Sequence, residues 1–213
     1  MFFKVFNKGF AGSNSYILGD GSEAAVIDPG NKAGDIYEEA VKNGFRIKYI
    51  ILTHGHLDHI MYTDELKRKT NATVAIHEAD ARALTDAQFN VSAVFGMPKV
   101  FQEVDLILRD GDKINFGGHV LTIFHTPGHT PGGICIRCEN MLFTGDTLFD
   151  GDFGRTDLPG GDSRKLRESL EKIFNMDGSL TIYPGHDSSN KLENIINKCR
   201  AGNLLDEDNW PDQ

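Results

Sequence analysis

Apolar residues fall along the chain in short runs separated by turns rich in Gly, Asp and Asn. In the N-terminal third FFKVF, SYIL and EAAVID read as strands, and the segment around residues 32–43 as a helix. IKYIILT, by its length and β-branched content, predicts a buried strand. Residues 59–69 carry a helical pattern, ATVAI a strand pattern, and residues 79–85 that of a short helix. From Leu106 to Phe143 strand-like runs, among them DKINFGG and HVLTIFH, follow one another with only turns between. Helices are predicted over 162–174 and 188–200, flanking the strand SLTIY, and Asp162, ahead of Lys165, is the expected N-cap of the first. Mixed strands and helices, with many consecutive strands mid-chain, predict an α/β fold of stacked layers rather than a simple doubly wound sheet. Composition shows no break before the acidic end LLDEDNWPDQ, so one domain over residues 1–203 with a loosely held acidic tail over 204–213 is expected.

The ends of the predicted strands carry the candidate chemistry. EAAVI runs into Asp28-Pro29-Gly30, IKYIIL into Thr53-His54-Gly55-His56, and HVLTIF into His125-Thr126-Pro127-Gly128-His129. MLF runs into Thr144-Gly145-Asp146 and SLTIY into Pro184-Gly185-His186. Gly permits the sharp reversal that aims a side chain inward, and strand ends on one sheet edge tend to converge. The pattern predicts one polyhistidine site. In THGHLDH, His54 and His56 lie two apart at a strand end and can face one side, while Asp58 and His59 lie one turn further. Neutral imidazole is the commonest zinc ligand, and a carboxylate adds a hard oxygen donor. With His129, Asp146 and His186 the donors number seven. That is too many for one tetrahedral ion and suits two ions sharing one carboxylate, with positions left for water.

Charge and composition narrow the partners. The net charge is -9, and no basic run exceeds Lys67-Arg68-Lys69, so a phosphate backbone is not an expected partner. MFFKVFNKGF lacks the apolar core of a signal peptide, and no apolar run approaches the roughly 18–20 residues that span a bilayer. A cytoplasmic protein with no membrane partner is expected. Cys135, Cys138 and Cys199 cannot build a disulfide framework. Cys135 and Cys138 have C-x-x-C spacing, but GGICIRC reads as a strand rather than a helix start, and packing is the preferred reading. His77, His119 and His125 lie outside the motifs and read as structural. Asp150-Gly151-Asp152 opens like a calcium loop, yet its twelfth position is Gly161 rather than Glu, which rejects the site. FNVSAVFGMPKVF, residues 89–101, is unusually apolar for a connection and is read as core packing, a pocket lip or an oligomer contact.

THGHLDH resembles the H-x-H-x-D-H signature of the metallo-β-lactamase superfamily, and GHTPGG, TGD and YPGH resemble its further ligand motifs, in order, over nearly the whole chain. The resemblance implies an αβ/βα four-layer sandwich with a dinuclear site at one edge of its sheets. It implies that His54, His56 and His129 hold one metal, that Asp58, His59 and His186 hold a second, and that Asp146 bridges. It casts Asp28 as a residue that orients a ligand histidine. TGDTLF, FGRTD and PGGD resemble the glyoxalase II group, the hydroxyacylglutathione hydrolases, in particular its short bacterial members. Longer members carry a C-terminal helical domain for glutathione, for which this chain is too short, and a tyrosine where this chain has Asp187-Ser188-Ser189. Arg155 falls where they place a lysine for a substrate carboxylate, so it is either an anion anchor or the partner of Asp152 or Asp157 in a salt bridge.

The implied reaction is hydrolysis of a small acyl-thiol such as S-lactoylglutathione by a metal-bound hydroxide, with two divalent ions, zinc first and iron or manganese as alternatives. Asp58 is expected to combine the roles of ligand and hydroxide-orienting catalytic group. The resemblance also allows a one-iron persulfide dioxygenase or a lactonase. A diiron electron-transfer module is disfavoured by His56, where such proteins have glutamate, and a purely structural metal protein would close its ligand shell.

Overall fold

The structure is a computed structural model and describes residues 1–202 and 204. The predicted acidic tail therefore lies outside the described residues, Leu204 excepted. Two six-stranded sheets form the molecule. The first holds β1 (Phe2–Phe6), β2 (Ser15–Asp20), β3 (Glu23–Ile27), β4 (Arg46–Ile51), β5 (Thr73–His77) and β6 (Leu106–Leu108), in that spatial order. Its first three strands form an antiparallel meander, and β3 to β6 run parallel. The second holds β7 (Lys113–Phe116), β8 (His119–His125), β9 (Ile134–Cys138), β10 (Met141–Gly145), β11 (Thr181–Pro184) and β12 (Asn190–Lys191), also in sequence order. There only β10 and β11 pair in parallel.

Side chains alternate across a strand, so a run that is apolar at every position must be buried on both faces. The central strands are built this way. Ile17, Val26 and Ile50 point into an outer layer with Ile36 and Ala40 of α1 (Ala33–Lys42) and Leu66 of α3 (Thr63–Thr70). Their neighbours Leu18, Ile27 and Ile51 point the other way, into the space between the sheets, where they meet Phe116, Ile123, Ile136 and Phe143. On the far side Leu142 and Ile182 pack against Leu166, Leu170 and Ile173 of α4 (Ser163–Phe174) and Ile195 of α5 (Leu192–Ala201). Helices, sheet, sheet and helices stack in four layers: the expected αβ/βα sandwich.

Local departures from the sequence reading have tertiary causes. The helix predicted over 59–69 is split into α2 (Leu57–Ile60) and α3, with Tyr62 at the break donating its amide to the Pro29 carbonyl at 3.0 Å. The predicted helix over 79–85 is a 3-10 helix, Glu78–Leu84. The segment predicted as a helix from 188 first adds β12 to the sheet edge before α5 begins. Asp162 caps α4 as expected, its side chain accepting from the Lys165 amide at 3.0 Å. Cys135 packs in the outer layer and Cys138 between the sheets, on opposite faces of β9, and burial pushes both thiols up to about 11. They are inert packing, as expected. No helix among the described residues is long and apolar enough to cross a membrane.

Candidate metal centre

The Gly-bearing turns after β3, β4, β8, β10 and β11 meet at one rim of the sandwich. The donors form two groups, His54 with His56 and His129, and Asp58 with His59 and His186, each with its ligand atoms within 4.8 Å of one another. Asp146 reaches both: Oδ1 lies 3.3 Å from His59 Nε2, while Oδ2 lies 3.5 Å from His129 Nε2 and 3.6 Å from His186 Nε2. Within the first group His129 Nε2 and His56 Nδ1 are 2.9 Å apart. Within the second, His186 Nε2 lies 3.1 Å from Asp58 Oδ2 and 3.3 Å from His59 Nε2. Gly185 is required for this crowding, because a methyl there would strike the Asp146 carboxylate and the His59 ring.

Hydrogen bonds behind His54, His59 and His129 fix which nitrogen each of these rings presents. Asp28, at φ 49° in the left-handed region, accepts from the Thr53 amide at 2.7 Å, the Thr53 hydroxyl at 2.6 Å and His59 Nδ1 at 3.0 Å. His59 therefore turns Nε2 into the cluster. Thr53 has one hydroxyl proton and gives it to Asp28, so in the 3.1 Å contact with His54 the ring Nδ1 is the donor. His54 Nε2 is then a lone pair, buried and without a hydrogen-bond partner. His129 Nδ1 donates to the Arg155 carbonyl at 2.8 Å, which likewise turns Nε2 inward. Asp28, His54 and His59 also form a close trio, but the Asp28 oxygens are already engaged by Thr53 and His59.

The electrostatics are those of a cation site. Burial opposes a charged His59, yet Asp146 and Asp58, with hydrogen bonds to Asp146 and Asp28, outweigh it and hold its pKa well above the ordinary histidine value. Burial drives His54 well below that value and, with His129 beside it, takes His56 down to about 3. Burial would raise Asp146, but His59 and the other imidazoles hold it well below the usual carboxylate range. Ionised carboxylates converge here with neutral His54 and His56 and with His59, whose extra proton a divalent cation would displace, the donor set that such a cation needs. The orphaned His54 nitrogen meets the same requirement, so the residues present fit a metal pair.

Arg155 lines the cleft above the donors, with its guanidinium in a two-pronged pair with Asp157 at 2.6 Å for each contact. Its salt-bridge role is formed, and its backbone carbonyl is what holds His129. His77 and His125 lie away from the donors, stacked on each other at 4.0 Å. His119 pairs with Glu139 at 2.8 Å.

Sequence reasoning missed Asp80. It is fully buried, and it accepts from the Gly55 amide at 2.9 Å and the Gly132 amide at 2.6 Å. One carboxylate thus ties the His54–His56 turn to the turn after His129. Burial raises its pKa against the pull of these bonds. Asp80→Ala would leave two buried amides without acceptors, and metal affinity is expected to fall about tenfold, read by chelator competition. Asp80→Asn, which keeps one acceptor, should lose less.

A model of the metallo-beta-lactamase superfamily matches residues 9–186, a span that contains all the donors named above. The chain belongs to the metallo-β-lactamase superfamily. Among relatives in this superfamily of metallo-hydrolases, a Haemophilus influenzae protein named hydroxyacylglutathione hydrolase GloC is 32% identical over 179 residues, covering 82% of this chain and 84% of that one. The crystal structure of the BLEG-1 B3 metallo-beta-lactamase superposes with a TM-score of 0.87 at 31% identity, over 92% of this chain and 97% of that one. That of TTHA1623 in a di-iron-bound form gives 0.80 at 27%, over 93% and 98%.

Proposed function

We propose that this superfamily member is a metal-dependent thioester hydrolase acting on S-lactoylglutathione or a related acyl-thiol. The observation that carries the reading is the sharing of Asp146 by two donor triads at the floor of a cleft of about 480 Å³. His54, His56 and His129 would hold one ion, and Asp58, His59 and His186 the other, with Asp146 reaching both. The donor set suits zinc first and admits iron or manganese. When bound, the two ions supply Lewis acidity toward a carbonyl oxygen and a water activated near neutral pH.

The chain's own residues do the remainder. Asp28 and the Arg155 carbonyl hold His59 and His129 in one tautomer and one orientation, so no ring must turn during the reaction. Asp58 keeps 20% of its side chain open and lines the cleft, where it can accept a hydrogen bond from the attacking water and aim it. A thiol has a pKa of about 8.5 and leaves as the thiolate, so the cluster requires no separate acid. A relative named as a hydroxyacylglutathione hydrolase supports the same reading. An amine leaving group would need a proton, and β-lactams therefore serve as the contrasting substrate.

The test is thiol release from S-lactoylglutathione by metal-reconstituted protein with its metal content counted. Release that requires about two ions per chain is the expected result. No release from fully loaded protein would refute the reading, and a single iron with persulfide-dependent oxygen uptake would replace it with a dioxygenase.

A further inference from the structure

The cleft is more apolar than thioester chemistry requires. Phe10, Leu57, Val91, Phe95, Met97 and Leu158 line it around the donors. Phe95 and Met97 remain 58% and 44% exposed. They sit on the stretch 89–101, which forms a lip braced from beneath. Asn90 is fully buried and donates to the carbonyls of Ala83 at 2.8 Å and Lys99 at 3.0 Å. Its Oδ1 accepts from the Ser92 amide at 3.0 Å, and the Ser92 hydroxyl accepts from the Lys99 amide at 2.9 Å. The Asn90 carbonyl also accepts from the Leu57 amide at 3.0 Å, which ties the lip to the turn between His56 and Asp58. An exposed aromatic held in place beside a reacting centre is a preformed apolar contact surface.

Charge points the same way. Apart from the histidines, Arg155 is the one cationic side chain among the described lining residues, and Asp157 already engages it. A carrier such as glutathione, with two carboxylates, meets no lysine or arginine outside an ion pair among the described lining residues. What the cleft offers instead is apolar area.

We infer that the cleft selects thioesters by an apolar acyl chain laid against Phe95 and Met97, not by the charged groups of the thiol carrier. The inference rests on the thioester-hydrolase reading and goes beyond it by naming the acyl group. Each methylene removed from water is worth about fourfold in a rate or binding constant. The chemistry stays that of hydrolysis: water adds to the carbonyl carbon, the carbon–sulfur bond breaks, and the products are the carboxylic acid, the thiolate and one proton released to solvent.

The experiment uses the metal-loaded full chain and S-acylglutathiones with unbranched propionyl, butyryl, hexanoyl and octanoyl groups, which share one carrier and one carbonyl reactivity. The expected kcat/KM rises about fourfold per added methylene until the cleft is filled. Phe95→Ser, at an exposed position, is expected to lower the octanoyl-to-propionyl ratio about tenfold. Val100→Ser, on the same lip but outside the cleft lining, leaves that ratio unchanged. Calorimetric binding of S-methyl and S-hexyl glutathione thioethers reads the contact without turnover and should favour the hexyl compound. A flat or falling series, or a ratio unmoved by Phe95→Ser, overturns the inference while the hydrolase reading stands. Failure to cleave any member removes both.

Discussion

Asp146→Ala is expected to lower the proposed thioester hydrolysis by about 10³-fold or more and to leave no more than one tightly held metal per chain. It reaches both donor groups, His129 in one and His59 and His186 in the other, so no neighbouring side chain can replace it. Metal content measured beside kcat separates loss of an ion from loss of alignment. The variant has a second readout in metal-free protein. Asp146 is the strongest attraction that holds a proton on His59 against burial, so removing it should lower the His59 pKa, followed by ring NMR. The sign for stability follows. A histidine whose folded pKa is raised contributes stability that is complete below its unfolded value of about 6.5 and is lost as pH rises through the folded value. Without Asp146 that loss should set in at lower pH, and restored metal should suppress the effect by taking the proton's place.

Asp28→Ala is expected to destabilise the fold by about 3–5 kcal/mol and to empty the metal position next to His59. Asp28 touches no open part of the cleft, yet it takes three hydrogen bonds from Thr53 and His59. Truncation leaves those donors buried and unpaired, and frees the His59 ring to rotate. The backbone adds to the cost, because φ 49° suits Asp or Asn better than Ala. Asp28→Asn keeps that backbone tolerance and one acceptor, so it should lose roughly half as much. Urea unfolding with and without metal, with ions counted, measures both effects.

The elements most legible in the sequence are those buried on both sides. AAVI and YIIL carry no polar alternation because the layers above and below them are both apolar, and their Gly-bearing ends announced where the donors gather. The short strand β12 was illegible, since two residues bound to a sheet edge leave no periodic signal. The break at Tyr62 was equally hidden, because its cause is a carbonyl at Pro29. At the site, side-chain donors could be read from THGHLDH and the later turns. Their supports could not: Asp80 and Gly132 are 52 positions apart, and the Arg155 contribution to His129 is a backbone atom that no residue type reveals. For Arg155 the sequence left anchor and salt bridge open, and Asp157 occupies its guanidinium in the structure.

The lip is fastened by the buried side chains of Asn90 and Ser92, whereas Val94, Phe95 and Met97 stand on it as half-open ornaments of the same short stretch. Substitution is therefore expected to meet two different tolerances within a few positions. Exchange at Asn90 or Ser92 is expected to loosen the loop, while exchange at Phe95 or Met97 should cost the fold little and, on the inference above, change which acyl groups the cleft takes. On that reading the acyl preference of such a cleft could be changed at its lip while the histidines and aspartates of the rim stay as they are.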